Sequence, residues 1–585
     1  MDEEQKKLAE ELLFTDEKSP TFAKQLYFGK IDSKHLLPYP TTSEEEQQNT
    51  QQFLSNLRDY VDKNLDPNSI DRNAMIPKEV IRGLGDIGLL GMTVPKKYGG
   101  LEMSQNAYCQ AIEFIAERCG GTAVFTNAHQ SIGLKGILLF GNEEQREKWL
   151  PDLSTGKKIA AFSLTEPNAG SDAAGIETKA IYDPEKKVYR INGKKQWTTN
   201  GSIAQVLTLM AKTEIESQNG KKEEKVTAFL VTPDMPGLKI TEPGLEKVGI
   251  RGTRTTNFEF TDLEVPEENI LGPIGGGLRV CLTCLDYGRT TFGAMCTGVS
   301  KYCVQRAIDH ATTRKQFKRS LASFSLVKDK IANMSALSYA MDATTYLTAG
   351  LIDKGIEDVM LESAILKVFA SDALWQILYD TMQIFGGRSF FTSEPFERMM
   401  RDARLNMIGE GSNEVLRAFI GVVGMRDVGM ELKEFADNLS KPFENFNGIW
   451  SGLSEFSGRM RLPVMELESA ALQEEKQLFL KKLRRFSIDI IKLLGKHKEG
   501  IIEQQLQLNR IANCAIALYT TAAVLSKLDT ELKDAGQTEH HLGNDLAIGK
   551  HYCKRAFDLM DLNHREIYNN SDQEVEALSD QITGL

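Results

Sequence analysis

Long apolar runs are scarce in this chain of 585 residues, and none reaches the roughly 20 residues that a membrane-spanning helix needs. Cysteine is scarce too, because eight residues in so long a chain cannot form the disulfide framework of a small secreted domain. Cys281 and Cys284 form a CxxC pair without a second pair of ligands nearby, which favours buried thiols over a metal site. We therefore predict no metal centre.

Excess positive charge is also missing. The chain has 70 basic and 81 acidic residues and a net charge of -11, which argues against a nucleic-acid partner that needs a broad basic face. The first residues, MDEEQKKLAEELLF, lack the cationic start of a secretory signal and the arginine-rich composition of an organellar presequence. We expect a cytoplasmic location, peripheral to the inner membrane, or a mitochondrial one if the chain is a processed form.

Hydrophobic periodicity divides the chain into four regions and predicts an α+β protein that is mainly α. Residues 1–158 have helical spacing, and 159–272 carry short alternating runs between glycine and proline turns, which predict an antiparallel β domain. Strands without intervening helices argue against a dinucleotide-binding βαβ unit. Residues 273–425 have the long amphipathic helices of a bundle, and 426–585 add a further helical region.

The stretch around Glu410 is the centre of the functional hypothesis. Gly409 and Gly411 flank this carboxylate and leave room for a ligand to approach. Ser412 can cap the helix that follows, and Glu414 suits its positive first turn. A carboxylate held in apolar surroundings has a raised pKa, which suits a proton-abstracting base. The alternative is that Glu410 is a solvated surface glutamate. Its function therefore has to be inferred together with the other motifs of the chain.

Three other pieces of chain carry binding chemistry. The turn in AFSLTEPNAGSD offers close-approaching donors, Trp197 at a strand end can cover a planar ring, and two arginines can bind pyrophosphate. Each piece has a plain alternative: a simple turn, ordinary packing or a solvated charge. His129 likewise is either a ligand or a hydrogen-bonded core histidine, and we favour the core. Together the pieces suggest a flavin enzyme that acts on a phosphate-bearing substrate.

Six motifs resemble those of acyl-CoA dehydrogenases, in the same order and at similar spacing: FSLTEPNAGSD, QWTTNG, LDYGR, RKQF, QIFGG and GEGSNEVLR. The flanking HQSIGLKGILLFG and the distal HKEGIIEQQLQLNRIANCAIALY resemble the very-long-chain branch. The resemblance covers the whole chain. It implies an N-terminal helical domain, a middle β domain, a C-terminal four-helix bundle with the catalytic glutamate, and an added helical domain.

The resemblance also implies FAD as cofactor and assigns roles to residues. Glu410 matches the base that abstracts the α-proton while hydride leaves the β-carbon for flavin N5, which gives trans-2-enoyl-CoA. The flavin contacts carried over are Phe162, Leu164, Thr165, Gly170, Ser171, Trp197, Thr198, Thr199, Ser412 and Glu414. The contacts that reach the flavin from a neighbouring subunit, and so require a homodimer, are Arg314, Phe317, Gln383, Gly386 and Gly387. The substrate contacts are Ser171, Asp286, Arg289 and Gly411.

Long-chain acyl-CoA and an electron-transfer flavoprotein are the implied partners, but the sequence departs from the branch at three positions. Gly409 replaces a bulky aromatic residue, Ser412 replaces threonine, and Asn127 lies where the branch tends to be small. The serine keeps the hydroxyl group. The other two changes affect the cavity beside the reacting carbons and the floor of the acyl channel, so the preferred chain length is open.

The added region carries a predicted membrane contact. Apolar residues of 446–462 recur at near-helical spacing beside Arg459 and Arg461, which fits an interfacial helix, although an inter-helix loop explains the pattern equally well. Two other functions share this domain plan. One is a flavoprotein that assembles a respiratory complex, and the other is an acyl-CoA oxidase that passes electrons to oxygen. Retention of the base favours the dehydrogenase.

Overall fold

The computed structural model describes residues 21–216, 220–440, 452, 454, 457–459, 461–536 and 542–585. Short helices lead into a larger N-terminal group: α1 (Phe22–Tyr27), α2 (Ser33–Leu36), α3 (Glu44–Asn64), α4 (Pro67–Asn73), α5 (Lys78–Asp86), α6 (Gln105–Arg118), α7 (Gly120–Asn127), α8 (Leu134–Phe140) and α9 (Glu143–Ser154). Side-chain caps begin several of them. Ser104 accepts a hydrogen bond from the backbone N–H of Ala107, and Asn142 and Gln145 form a capping box.

A π-helical turn, Ala128–Gly133, joins α7 to α8 and carries His129. The His129 ring is fully buried: its Nε2 lies 3.1 Å from the carbonyl oxygen of Leu153, and its Nδ1 accepts from the N–H of Ala160. Burial lowers the pKa of His129 to about 4, so the ring is neutral. The prediction of a hydrogen-bonded core histidine is therefore confirmed.

The middle region forms an eight-stranded sheet. Its strands are β1 (Ala160–Ser163), β2 (Lys179–Asp183), β3 (Val188–Thr198), β4 (Val206–Glu216), β5 (Lys222–Val231), β6 (Leu238–Glu242), β7 (Thr256–Pro266) and β8 (Ile270–Leu271). The order is β6-β7-β3-β2-β4-β5-β8, and β1 pairs with β4. The sheet is mainly rather than wholly antiparallel, because β4 runs parallel to both β1 and β2. The β2–β3 hairpin lies between β1 and β4 in sequence and supplies the crossover that a parallel pair needs.

The bundle that follows contains long helices: α10 (Gly277–Thr313), α11 (Ser325–Asp353), α12 (Met360–Phe385), α13 (Phe396–Arg404) and the first half of α14 (Asn413–Ser440). A small hairpin, β9 (Lys315–Gln316) with β10 (Arg319–Ser320), links α10 to α11. The CxxC pair lies on α10, and both thiols are buried. Burial raises the pKa of Cys281 to about 12, so this thiol is protonated.

The added region contributes α15 (Gln473–His497), α16 (Gln505–Asp534), α17 (Asp545–Tyr568) and α18 (Asp572–Thr583). Apolar residues at alternating spacings of four and three form a stripe on α15, of which Phe479, Leu483, Phe486 and Ile490 are buried and Leu494 is partly buried. They join one hydrophobic cluster that also contains residues of α1, α12 and α14. Helix α16 is long and apolar enough to cross a membrane, but 89% of its most apolar window is buried within the protein.

Most of the apolar residues of segment 446–462 lie outside the described residues, and with them the predicted interfacial helix. Arg459 is described, and its side chain is buried. It donates to the carboxylate of Glu431 at 2.6 Å and lies 5.0 Å from the centre of the Phe28 ring. The guanidinium is therefore engaged inside the protein and does not serve as a cation for lipid headgroups.

Candidate active site

Glu410 lies on a short loop between a 3-10 turn, Leu405–Met407, and the start of α14. Its backbone is left-handed, with φ of +56°, and Gly411 follows with φ of +96°. A non-glycine residue rarely adopts such a conformation, and it is concentrated at functional sites. As predicted, Ser412 caps the next helix, although its Oγ accepts the N–H of Val415 at a long 3.4 Å.

Contacts from both preceding domains hold the helix that leads into this loop. Arg401 of α13 binds both carboxylate oxygens of Asp71, at 2.8 and 3.0 Å. The next residue, Asp402, accepts the backbone N–H of Ile250 in the β domain at 2.5 Å. Helix α13 is thereby tied to the N-terminal helices and to the sheet, which fixes where the loop begins.

The Glu410 carboxylate points into the protein. Glu410 as a residue is partly exposed, but its Oε2 is buried and has no hydrogen-bond partner among the described residues. Oε1 accepts from Nδ2 of Asn127 at 3.0 Å. Gly288 on α10 makes the space, because a Cβ there would lie 2.7 Å from Oε2.

The electrostatics of this pocket suit a base. Burial raises the pKa of Glu410 to about 7, against the opposing effects of Arg289, Lys367 and the Asn127 bond. Both cations lie beneath the loop and bind its backbone: Nε of Arg289 donates to the carbonyl of Glu410 at 3.2 Å, and Nζ of Lys367 donates to that of Gly411 at 2.6 Å. The carboxylate is therefore poised between its two protonation states at neutral pH.

The structure does not place Asp286 and Arg289 on a surface that faces the CoA portion of a substrate. Both are more than nine-tenths buried, and they bind each other at 3.3 Å, while the hydroxyl of Ser363 donates to the same Asp286 oxygen. The two residues lie on the inner face of α10, three positions apart, so they share one side of the helix. Arg289 contacts the Glu410 loop directly, and Asp286 is linked to that loop through Arg289.

The loop that follows β1 contains the predicted turn. Gly170 and Ser171 are exposed, and the space around Gly170 is open, whereas Phe162, Leu164 and Thr165 are half-buried. A buried ion pair fixes the base of this loop: Nζ of Lys195 lies 2.6 Å from Glu166 and also donates to the carbonyl of Leu164. Lys195 and Glu166 were not among the predicted site residues.

Trp197 at the end of β3 presents its ring to the outside. The residue is 60% exposed, its backbone φ is +60°, and its backbone N–H donates to Oδ1 of Asn257 at 3.1 Å. An exposed indole on a strained backbone indicates a surface built to cover a ligand. Thr199 is half-buried beside Trp197. Thr198 points inward, and its hydroxyl lies 2.9 Å from that of Ser163, so this hydroxyl is engaged within the core of the sheet.

The residues predicted to reach a partner's flavin are exposed at one end of the bundle. His310 near the end of α10 stacks on Phe385 at the end of α12, with ring centres 4.2 Å apart. The β9–β10 hairpin and the QIFGG turn therefore leave the bundle side by side. Exposed residues at this end include Arg314, Phe317, Gln383, Gly386 and Gly387.

Comparisons with known proteins identify the family of this chain. Four family models match in order: the acyl-CoA dehydrogenase N-terminal domain at 45–157, the middle domain at 161–263, the C-terminal domain at 275–424, and the ACAD9/ACADV C-terminal domain at 470–584. Human very long-chain specific acyl-CoA dehydrogenase, a mitochondrial protein, is 36% identical over 534 residues, which cover 89% of this chain and 81% of that protein. The chain belongs to the acyl-CoA dehydrogenase family.

Two solved structures show how far the likeness of fold extends. An acyl-CoA dehydrogenase from Bacillus anthracis in complex with FAD is 27% identical with a TM-score of 0.79, and the match covers 96% of this chain and 94% of that one. A chain described as the electron transferring flavoprotein of Acidaminococcus fermentans is 30% identical with a TM-score of 0.61, over 66% and 99% of the two chains. The first match covers more of this chain because it includes the added helices.

This acyl-CoA dehydrogenase is an FAD-dependent oxidoreductase of fatty acid oxidation that acts on the CH–CH bond of acyl-CoA. Its residues fit the cofactor, because the exposed Trp197 ring and the open turn at Gly170 and Ser171 offer a flat apolar face beside polar donors. FAD, when bound, supplies the acceptor for two electrons. The protein contributes the binding surface and the Glu410 carboxylate with its buried Oε2.

The acid limb of the activity profile should report the Glu410 carboxyl. A base must be ionised, so we expect kcat/KM to fall about tenfold per pH unit below pH 7 and to level off above it. The measurement is kcat/KM between pH 5.5 and 9 with a saturating artificial acceptor. A profile that stays level down to pH 5.5, as expected for a solvated glutamate with its ordinary pKa near 4.5, would contradict an enclosed base.

Sequence reasoning missed several residues of this site. Lys367 is a lone lysine within the apolar run of α12, and that isolation was a usable signal. Lys195 and Glu166 gave a weaker signal, since both are charged residues among strand residues. Gly288 gave none, because nothing in LDYGR distinguishes a glycine that makes room for a carboxylate 122 positions away from one that merely packs.

Proposed function

We propose that Glu410 is the base of this acyl-CoA dehydrogenase and that its substrates are long- or very-long-chain fatty acyl-CoA thioesters. The observation that carries the proposal is the buried Oε2 of Glu410, which lies against Gly288 and has no hydrogen-bond partner in the described part of the chain. The oxygen would take the α-proton of the thioester. The positive charges of Arg289 and Lys367 limit how far burial raises the pKa of Glu410, so a fraction of this carboxyl group remains ionised at neutral pH.

The preference for a long acyl chain rests on the relative and on the added helices. The human relative is described as very long-chain specific, and the ACAD9/ACADV domain matches 470–584. Asn127 argues in the other direction, because its buried amide occupies space close to the base. We therefore propose long chains and treat the upper limit of chain length as the quantity to measure.

An electron-transfer flavoprotein is the proposed acceptor and a homodimer the proposed assembly. The first follows from the family, and the solved chain of 30% identity from Acidaminococcus fermentans carries the name of such a flavoprotein. The second is supported by exposed apolar rings at the end of the bundle, where Phe317, Phe390 and Phe391 are 88%, 80% and 65% exposed. Peripheral membrane contact through 446–462, on the cytoplasmic side or within mitochondria, remains part of the proposal.

Anaerobic titration of the purified holoprotein tests this function. Acyl-CoA thioesters of graded length should bleach the flavin absorbance near 450 nm, with the tightest binding among long chains. Addition of an electron-transfer flavoprotein should then restore the absorbance. Rapid recovery in air with stoichiometric peroxide would instead identify an oxidase. A holoprotein that no thioester bleaches would favour the assembly role.

A further inference from the structure

Asn127 reaches the active site from a distant part of the sequence. It is the last residue of α7, where the chain enters the π-helical turn, and its side chain is 1% exposed. Nδ2 donates to Oε1 of Glu410 at 3.0 Å, across 283 positions of sequence. The amide oxygen of Asn127 is buried without a hydrogen-bond partner among the described residues. The side chain of Asn127 thus presents its N–H to Glu410, while its own oxygen finds no partner in the part of the chain that the structure describes. The Glu410 carboxylate is therefore the group that orients this amide.

The other groups that face Glu410 do not compete for its carboxylate. Nε of Arg289 and Nζ of Lys367 donate to backbone carbonyls of the loop, so these two residues act on the carboxylate through their charge. Tyr108 on α6 is the remaining titratable neighbour, and its hydroxyl is engaged with Ser131 at 3.4 Å. Within the described chain, Asn127 thus supplies the side-chain hydrogen bond to the carboxylate.

We propose that Asn127 is a positioning residue that holds Oε1 of Glu410 and thereby makes Oε2 the oxygen that accepts the α-proton of the acyl thioester. This inference rests on the proposed role of Glu410 as the base. An ionised carboxylate only accepts hydrogen bonds, and an amide N–H only donates them, so the pair is matched while the base is charged. When Oε2 becomes protonated, Oε1 still accepts from Asn127, so the bond persists through proton transfer.

The step balances with the known chemistry of the enzyme. The Cα–H bond of the thioester breaks and an O–H bond forms at Oε2. The electron pair of the Cα–H bond becomes part of the Cα–Cβ double bond, and FAD, when bound, would take up the β-hydrogen with its electron pair. Asn127 gains and loses no atom in this step, because its contribution is to stabilise the ionised carboxylate and to fix its rotation.

The test is the pH dependence of three variants of the holoenzyme. Asn127→Ala removes the donor and should move the acid limb of kcat/KM to higher pH by about one unit. Asn127→Asp keeps the size but adds like charge, and should move the limb further. Asn127→Ser keeps a hydroxyl donor, so its acid limb should lie between those of the wild type and of Asn127→Ala. The matched control is Asn563→Ala, a buried asparagine in α17 of the added region, which should leave the limb unchanged.

A second readout does not depend on turnover. The carboxyl C=O stretch of Glu410, identified by its loss in Glu410→Gln, should titrate in the infrared spectrum at the same shifted pH. If Asn127→Ala does not fold, the other two variants still differ, because Asn127→Ser should move the limb by a small amount and Asn127→Asp by a large one. An acid limb and a carboxyl band that stay in place in folded Asn127 variants would overturn the inference. Retained activity in Glu410→Gln would instead refute the proposed base itself.

Discussion

Glu410→Gln should lower the rate of acyl-CoA oxidation by about 10³-fold or more, because general-base catalysis contributes about 10²–10⁴-fold and the neutral amide of glutamine cannot take up the α-proton. Glutamine keeps the size of the side chain and can still take the Asn127 hydrogen bond through its amide oxygen. We therefore expect the variant to fold, to bind FAD and to bind acyl-CoA. Stopped-flow bleaching of the flavin under anaerobic conditions measures the rate of the chemical step directly.

The control for this variant is Glu434→Gln, which makes the same change at an exposed position of α14. It should retain full activity. Yellow Glu410→Gln protein that bleaches at the wild-type rate would place the base elsewhere, and the first residues to examine would then be the other buried carboxylates near the loop. Asp286 is one of them, since burial raises its pKa to about 7 as well.

Local sequence features predicted much of this site. The glycines around Glu410 indicated a loop, and the helix that follows does begin at Asn413, directly after the predicted cap. The buried apolar stripe of α15 was also predictable, because the periodicity of a helix is visible in residues that are close in sequence. Trp197 was also recognisable, as a tryptophan at the end of a strand between polar residues.

The parts that could not be predicted depend on contacts between distant elements. Asn127 and Lys367 reach the loop from α7 and α12, and their partners become adjacent only when the helices pack. The orientation of Arg289 is the same kind of property. Its motif indicates a helix and a positive charge, but which face of α10 turns inward depends on the neighbouring helices, and the structure turns Arg289 toward the backbone of Glu410.

Gly288→Ala should reduce the rate of flavin bleaching by about 10²-fold while leaving the fold intact. A Cβ at this position would lie 2.7 Å from Oε2 of Glu410 and 2.9 Å from Cγ2 of Ile132, so the carboxylate or the π-helical turn must move. A displacement of about 1 Å of a catalytic group is enough to produce a loss of that size. Alanine also favours helix over glycine, so the stability of α10 itself should not fall.

Gly495→Ala provides the matched control, because it makes the same substitution in a helix, α15, at a glycine with open space around it. That variant should keep wild-type kinetics and should be slightly more stable to heat. The two alanine variants then separate helix propensity from crowding at the base. Unchanged bleaching in Gly288→Ala would mean that Glu410 can turn its carboxylate away from α10 without cost. The base would then be mobile, and the enclosure that raises its pKa would not be maintained during catalysis.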